Sequence, residues 1–265
     1  MTLNDEIFRD IKAVLVQGDT TSVVAMALTA MHRQIPVIHL EAGLRSGDVL
    51  NPYPEEYNRK IVSSVATIHL CPTVTSAENL NKENITENVY IVGNTALDNL
   101  IQYKEQCETT DKILVTLHRR ENHENIEEWF NAINDLAKIT DYEFILPIHP
   151  NPNVFSQRHL LTNVKVVEPM SHEELLKILV KTRMVITDSG GLQEECSFFE
   201  KQCLVCRKVT ERPEALGFTS HLVKSPRMLH SEFFRSLTMK HNHQECPYGD
   251  GYSSKKICEI INILL

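Results

Sequence analysis

No stretch of this chain is apolar for anything near the roughly 20 residues of a membrane-spanning helix, and the opening MTLNDEIFRD is too polar for a signal peptide. A membrane role is set aside on that basis, and the cytoplasm is the expected compartment. Positive charge is scarce as well. Lysine and arginine number 27 against 35 aspartates and glutamates, a formal net charge of −8, which argues against nucleic acid or an anionic membrane as the main partner. An anionic ligand must then be attracted locally. The seven cysteines are odd in number and lack framework spacing, which fits reduced thiols. The one Cys-x-x-Cys, Cys203 to Cys206, lies in QCLVCR, a strand-like run whose alternation sends the two thiols to opposite faces and away from a redox or zinc role. No repeat or low-complexity tract is present.

At 265 residues the chain is long enough to bury a large core in one large or two smaller domains. Its centre of gravity is the stretch from Val14 to Arg59. There the apolar run AVLV breaks into Gln17-Gly18-Asp19-Thr20-Thr21, IPVIHL breaks into Glu41-Ala42-Gly43-Leu44-Arg45, and Pro54-Glu55-Glu56 follows. Two buried strands, each ending in a carboxylate beside a glycine, describe an open α/β sheet whose carboxyl edge is a ligand crevice.

The alternation predicts the end of a helix through Lys12, strand 13–16, helix 21–33 with Val24, Ala27, Leu28 and Met31 on one face, strand 37–40, helix 59–65, strand 67–71, helix 75–84 and strand 88–92. A polar, charged passage (YKEQCETTDK) separates this from a second series. That series comprises strand 113–116, helix 125–138, strands 144–148 and 164–167, helix 172–180, strand 184–187, helix 191–199 and strand 203–206. Past Val223, KSPRMLHSEFF and MKHNHQE carry little pattern, and a turn at 247–251 precedes a last helix from about Ser253. The expected fold is α/β, two Rossmann-like domains. Residues 1–105 form the first, residues 106–250 the second, and residues 251–265 a C-terminal helix packing back on the first. With three βα units counted, the first domain is incomplete, short of its opening strands by roughly 60–80 residues.

Thr187-Asp188-Ser189-Gly190-Gly191 sits between a strand and a helix, so its backbone N–H groups suit a phosphate. Glu194 and Glu195 follow in the first turn of that helix, where a carboxylate can accept both hydroxyls of a ribose. A tight turn with a capped helix is the bland alternative. His118, Arg119 and Arg120 follow a strand and offer an imidazole and two guanidinium groups, or only an exposed basic turn. His149, at a strand end beside prolines, is either a ligand contact or a structural hydrogen-bonding group. Arg212 pairs with phosphate or with a neighbouring acid. Asp19, Glu41 and Glu55 are the candidates for acid–base chemistry, although Asp19 before two threonines could simply cap a helix. Three carboxylates in one cleft raise one another's pKa, a cost that use would justify.

With these residues set out, the chain resembles the non-hydrolysing UDP-N-acetylglucosamine 2-epimerases. The strings that carry the likeness are GDTT (18–21), HLEAGLRSGD (39–48), PEEYNR (54–59), VGNTALD (92–98), VTLHRREN (115–122), HPNPNV (149–154), TDSGGLQEE (187–195), TERPEA (210–215) and PYGDG (247–251). They occur in the family's order and cover the chain nearly end to end. The resemblance implies a GT-B architecture, catalytic roles for Asp19, Glu41, Glu55 and His118, and contacts to UDP from Ser189, Gly190, Gly191, Glu195 and Arg212, with Arg119 and His149 on the same substrate. It further implies a homodimer, no cofactor, no metal, and inversion at C2 by elimination of UDP to a 2-acetamidoglucal and re-addition. The product would serve surface polysaccharide or glycan synthesis. The chain departs from the family in lacking the opening strand with its Gly-Thr-Arg-Pro-type loop, in carrying Leu175 where many members place an aromatic near the uracil, and in a short, atypical 220–246 segment. Three readings stay open: an active epimerase, a truncated and catalytically silent UDP-sugar-binding relic, and a GT-B glycosyltransferase.

Overall fold

The computed structural model describes residues 5–50, 52–210, 212–239 and 245–264. The first four residues, Glu211 of TERPEA and most of the MKHNHQE tract lie outside that set. The chain divides into two compact units, Met1–Asn99 with Pro247–Leu265, and Leu100–Cys246.

The first unit is a four-stranded parallel sheet in the order β1-β2-β3-β4. Its chain order is β1 (Val14–Gln17), α1 (Thr21–His32), β2 (Val37–Leu40), α2 (Glu55–Val65), β3 (Ile68–Cys71), α3 (Val74–Lys82) and β4 (Val89–Ile91). β2 and β3 are buried at every position, as parallel strands covered on both faces must be. β1 lies at the sheet edge, and its Leu15 is 52% exposed. The opening residues do not form the end of a helix reaching Lys12. They make one 3-10 turn over Asp5–Phe8, and Asp10 beyond it has a left-handed φ of 65°, which a helix does not accommodate. α1 buries Ala27 and Ala30 and packs Val23, Val24 and Met26, while Met31 is 37% exposed. Its inward face is therefore rotated from the expected stripe, because the small alanines let α1 lie close to its neighbours.

The second unit holds β5 (Lys112–Thr116), α4 (Ile126–Ile139), β6 (Glu143–Pro147), α5 (Pro152–Phe155), β7 (Lys165–Val167), α6 (His172–Leu179), β8 (Met184–Thr187), α7 (Gly190–Phe198), β9 (Gln202–Val205), β10 (Ser220–Leu222) and α8 (Leu229–Thr238). All six strands are parallel, in the order β10-β9-β8-β5-β6-β7. Numbered from β5, that is the 3-2-1-4-5-6 order of a doubly wound sheet, with its switch point between β5 and β8. α8 falls where the sequence shows little pattern, and β10 just before that stretch, where the alternation predicts no strand. Leu229 and Phe233 are wholly buried, with Leu237 packed beside them. These three lie at i, i+4 and i+8, a stripe too narrow to stand out among His230, Ser231, Glu232 and Arg235.

The chain closes with α9 (Ser253–Leu264), part of the first unit. Asp98 accepts the N–H groups of Ser253 and Ser254 at 2.9 and 2.7 Å, which caps the helix. Ile257 then joins Ile38, Leu40, Ile68, Leu70 and Val92 in one apolar cluster.

Two histidines sit side by side in that sheet, His39 of β2 opposite His69 of β3. Burial, the largest cause, pushes the His39 imidazole down to about 4, against the hydrogen bond its Nε2 makes to the Gly18 carbonyl at 2.9 Å. His69 is lowered by burial too. The unfolded chain takes up a proton at His39 below the ordinary value of 6.5, and the folded chain does so only near 4. Its contribution is thus intact above the higher value and is lost as pH falls toward the lower one. From His39 alone we expect a loss of about 2 kcal/mol between pH 7 and pH 5. Urea unfolding of wild type and His39→Gln at both values checks this, and the variant is expected to lose less.

Candidate functional site

In the second unit the strand ends at the switch point are organised by one buried carboxylate, Asp188. Its oxygens accept the backbone N–H of His118 at 3.0 Å, that of Arg119 at 2.9 Å and the side-chain amide of Asn122 at 3.0 Å. Asn122 also donates to the Cys206 carbonyl at 3.0 Å, which ties in the end of β9. Thr116 and Thr187 share a hydroxyl hydrogen bond of 2.6 Å across β5 and β8. His118 turns its Nδ1 toward Asp188 at 3.5 Å, which leaves Nε2 on the far edge of the ring. The ring stacks on His149 at 5.2 Å between centroids. His149 is lowered, first by desolvation and then by His118, and its Nδ1 accepts the Asn151 N–H at 3.1 Å, as a neutral imidazole can.

A cavity of about 300 Å3 opens beside these residues. His118, His149, Ser189, Gly191 and Glu195 line it, together with an apolar wall that includes Pro147, Met170, Leu175 and Leu192. Ser189 precedes the first turn of α7 with no side-chain cap, and its N–H is used by the Thr187 hydroxyl at 2.9 Å. A Cβ added at Gly191 would meet nothing within 4 Å, so packing does not require glycine there. Glu194 and Glu195 are not in the first turn, because α7 begins at Gly190 and places them a turn further in. Glu195 faces the cavity with its carboxyl raised by burial, and His172 Nε2 bonds its Oε1 at 2.8 Å. Arg212 and Arg119 are not among the lining residues. Arg212 is ion-paired with Glu194.

In the first unit Asp19 does not cap α1. Thr20 does so, its hydroxyl accepting the Val23 N–H at 3.4 Å. The Asp19 carboxylate instead receives Arg59, at 2.8 Å from Nε and 2.7 Å from Nη2, and its carbonyl receives Asn58 Nδ2 at 2.7 Å. Glu41 reaches the same turn, since a Cβ at Gly18 would lie 3.6 Å from Glu41 Oε2. Glu41 holds a left-handed φ of 67°, a conformation that costs a non-glycine residue about 1–2 kcal/mol and gathers at functional sites. Two residues on, Gly43 is obligatory, as a Cβ there would lie 2.2 Å from the Ser76 carbonyl oxygen. α2 starts at Glu55, four residues earlier than the pattern predicts, so Glu55 stands one turn before Arg59 on the same face. Among the described residues, Glu55 Oε2 is buried with no hydrogen-bond partner.

The roles of Asp188, Arg59, Glu56 and His172 escape a reading of the sequence. Glu56 is wholly buried, accepts the Ser46 N–H at 3.0 Å and the Gly47 N–H at 3.4 Å, and pairs with Arg59 at 3.0 Å. The signal was present in PEEYNR, whose Glu56 and Arg59 are three apart on a helix. Arg45 of EAGLR is structural, tied to Glu83 at 2.7 Å and to the Ser63 hydroxyl at 3.0 Å.

Two parallel-sheet units, the second doubly wound with a cavity at its switch point, make this an α/β protein of the GT-B class. The family follows from comparison with known proteins. The model of the UDP-N-acetylglucosamine 2-epimerase family matches residues 5–262, and the chain belongs to that family, a family of isomerases. It is 38% identical to the UDP-N-acetylglucosamine 2-epimerase of Neisseria meningitidis serogroup A over 97% of this chain and 78% of that one. To the Escherichia coli K12 enzyme of that name it is 36% identical, over 94% and 74%. Among solved structures, the N. meningitidis UDP-GlcNAc 2-epimerase bound to UDP-GlcNAc superposes with a TM-score of 0.84 at 35% identity, covering 97% of this chain and 78% of that one. The S. aureus MnaA–UDP co-structure gives 0.87 at 32% identity, over 97% and 77%.

The organising role of Asp188 is open to test. Replacing it by asparagine removes the charge and turns one acceptor into a donor facing other donors. Asp188→Asn should cost about 3 kcal/mol of stability, measured by chemical denaturation.

Proposed function

We propose that this protein interconverts UDP-N-acetylglucosamine and UDP-N-acetylmannosamine in the manner of the non-hydrolysing enzymes, in the cytoplasm, feeding surface polysaccharide or glycan synthesis. Assembly as a homodimer belongs to the same reading and rests on the family resemblance alone. The acid cluster of the first unit carries the proposal: Asp19 and Glu41 meet at the Gly18 turn, and Arg59 answers the charge of Asp19.

The C2 hydrogen of the sugar is not beside a ring carbonyl, so simple deprotonation is too difficult. Elimination avoids this. A base takes the C2 proton, the C1–oxygen bond breaks, and UDP leaves with the electron pair to give 2-acetamidoglucal. Re-addition of UDP at C1, with a proton delivered to the opposite face of C2, completes the inversion. Two proton-handling groups on opposite sides of the ring are needed, which suits the set Asp19, Glu41 and Glu55. No redox step occurs.

The second unit supports the leaving group. The N-terminus of α7 at Ser189, Gly190 and Gly191 suits a diphosphate, and His118 and Arg119 add donors where negative charge develops. His149 widens that wall through its stack on His118. Glu195 is placed to accept ribose hydroxyls. Arg212 enters by resemblance, with its guanidinium engaged by Glu194. Leu175 and the neighbouring prolines offer the base an apolar wall in place of an aromatic face. A second reading is UDP-sugar binding without turnover.

Glu55→Gln separates chemistry from binding. We expect epimerisation to fall by about a thousandfold with the Kd for UDP nearly unchanged, measured by product formation and by calorimetry. Equal loss of both would make Glu55 structural, and a wild type that binds UDP but forms no UDP-N-acetylmannosamine would favour the second reading. Gly191→Ala should leave stability equal or higher, by up to about 1 kcal/mol. The same variant should weaken UDP binding by about tenfold, or ~1.4 kcal/mol.

A further inference from the structure

The cavity wall of the second unit contains a residue that the reading above does not use, His172, paired with Glu195, which it does use. Glu195 is nearly buried, its side chain 11% exposed, while His172, which bonds it, is 62% exposed. His172 Nε2 meets Glu195 Oε1 at 2.8 Å. The other oxygen, Oε2, is buried and among the described residues has no hydrogen-bond partner. Both residues line the cavity, with Ser189 and Gly191 alongside. One lone oxygen of a carboxylate is thus anchored and the other is held unsatisfied, a state that a buried acceptor keeps only at a cost unless something donates to it.

His172 is delivered rigidly. It is the first residue of α6, whose start is fixed by a reciprocal capping box: Glu174 N–H donates to the Ser171 hydroxyl at 3.3 Å, and Ser171 N–H donates to Glu174 Oε2 at 2.8 Å. Leu176 and Leu179 bury the inner face of the same helix. The largely exposed imidazole contributes little to the core itself. Among the described residues its hydrogen bond is the one to Glu195. Burial raises the Glu195 carboxyl, and the His172 bond works against that shift.

We infer that His172 is a positioning residue for nucleotide recognition: its N–H fixes Oε1 of Glu195 so that Oε2 is presented as an acceptor to the vicinal hydroxyls of a ribose. This rests on the UDP-binding reading and deepens it. A simple tie between α6 and α7 is the competing role, and it differs in one respect. Loss of a tie weakens every nucleotide alike, whereas loss of a hydroxyl acceptor is felt only by ligands that carry the hydroxyls.

The experiment is calorimetric titration of wild type, His172→Phe and His172→Gln with UDP and with 2′,3′-dideoxyuridine diphosphate. Phenylalanine keeps the ring volume and drops the donor, and glutamine keeps an N–H that can reach Oε1. The expected result is a roughly tenfold weaker Kd for UDP in His172→Phe, no change for the dideoxy nucleotide, and recovery of most of the loss in His172→Gln. Equal weakening of both nucleotides, or an unchanged UDP affinity in His172→Phe, overturns the inference while leaving the UDP-binding reading intact. Failure of the wild type to bind UDP overturns both.

Discussion

Carboxylates at the carboxyl ends of parallel strands are tolerated only when something answers their charge, and that constraint shapes both units. In the first, one guanidinium does most of the work. Arg59, nearly buried, forks between Asp19 and the wholly buried Glu56. Glu56 in turn takes the backbone N–H groups of the loop that follows EAGLR. Removing either partner would leave a buried charge exposed to a low-dielectric interior, a change that typically costs 3–5 kcal/mol. In the second unit Asp188 is answered by N–H groups instead, and in receiving them it fixes the turn that carries His118 and Arg119.

The same constraint explains how a satisfied ion pair and an unsatisfied acid coexist at adjacent positions. Glu56 has all its hydrogen-bonding directed inward, whereas Glu55, its neighbour on α2, keeps a buried oxygen without a partner among the described residues. Glu195 repeats the theme beside the cavity of the second unit. Unsatisfied buried acceptors are rare in folded proteins, and a substrate that supplies donors is the natural reason for keeping them. Glu41 adds conformational strain to the same account.

Much of this was legible in the chain. Alternating apolar runs and turn residues locate nearly all the strands, because β2, β3, β8 and β9 are buried on both faces and must read as apolar blocks. Elements whose burial is one narrow stripe were not legible: α8 rests on Leu229, Phe233 and Leu237 among polar neighbours. The three-residue β10 is too short to show a period. At the site, residues at strand ends stood out as Asp19, Glu41 and His118. Residues that act through them did not, because Asp188 and Arg59 gain their meaning from partners 70 and 40 positions away. His172 was invisible for the same reason, its partner lying 23 residues on.

In the proposed reaction the acids of the first unit move a proton at C2 of a UDP-sugar. The most direct measurement is incubation of the purified protein with UDP-N-acetylglucosamine in deuterated water, followed by magnetic resonance at C2. The account predicts deuterium at that carbon in both the recovered substrate and the epimer, even where net conversion is slow. A protein that binds UDP yet leaves C2 fully protonated after long incubation would contradict it.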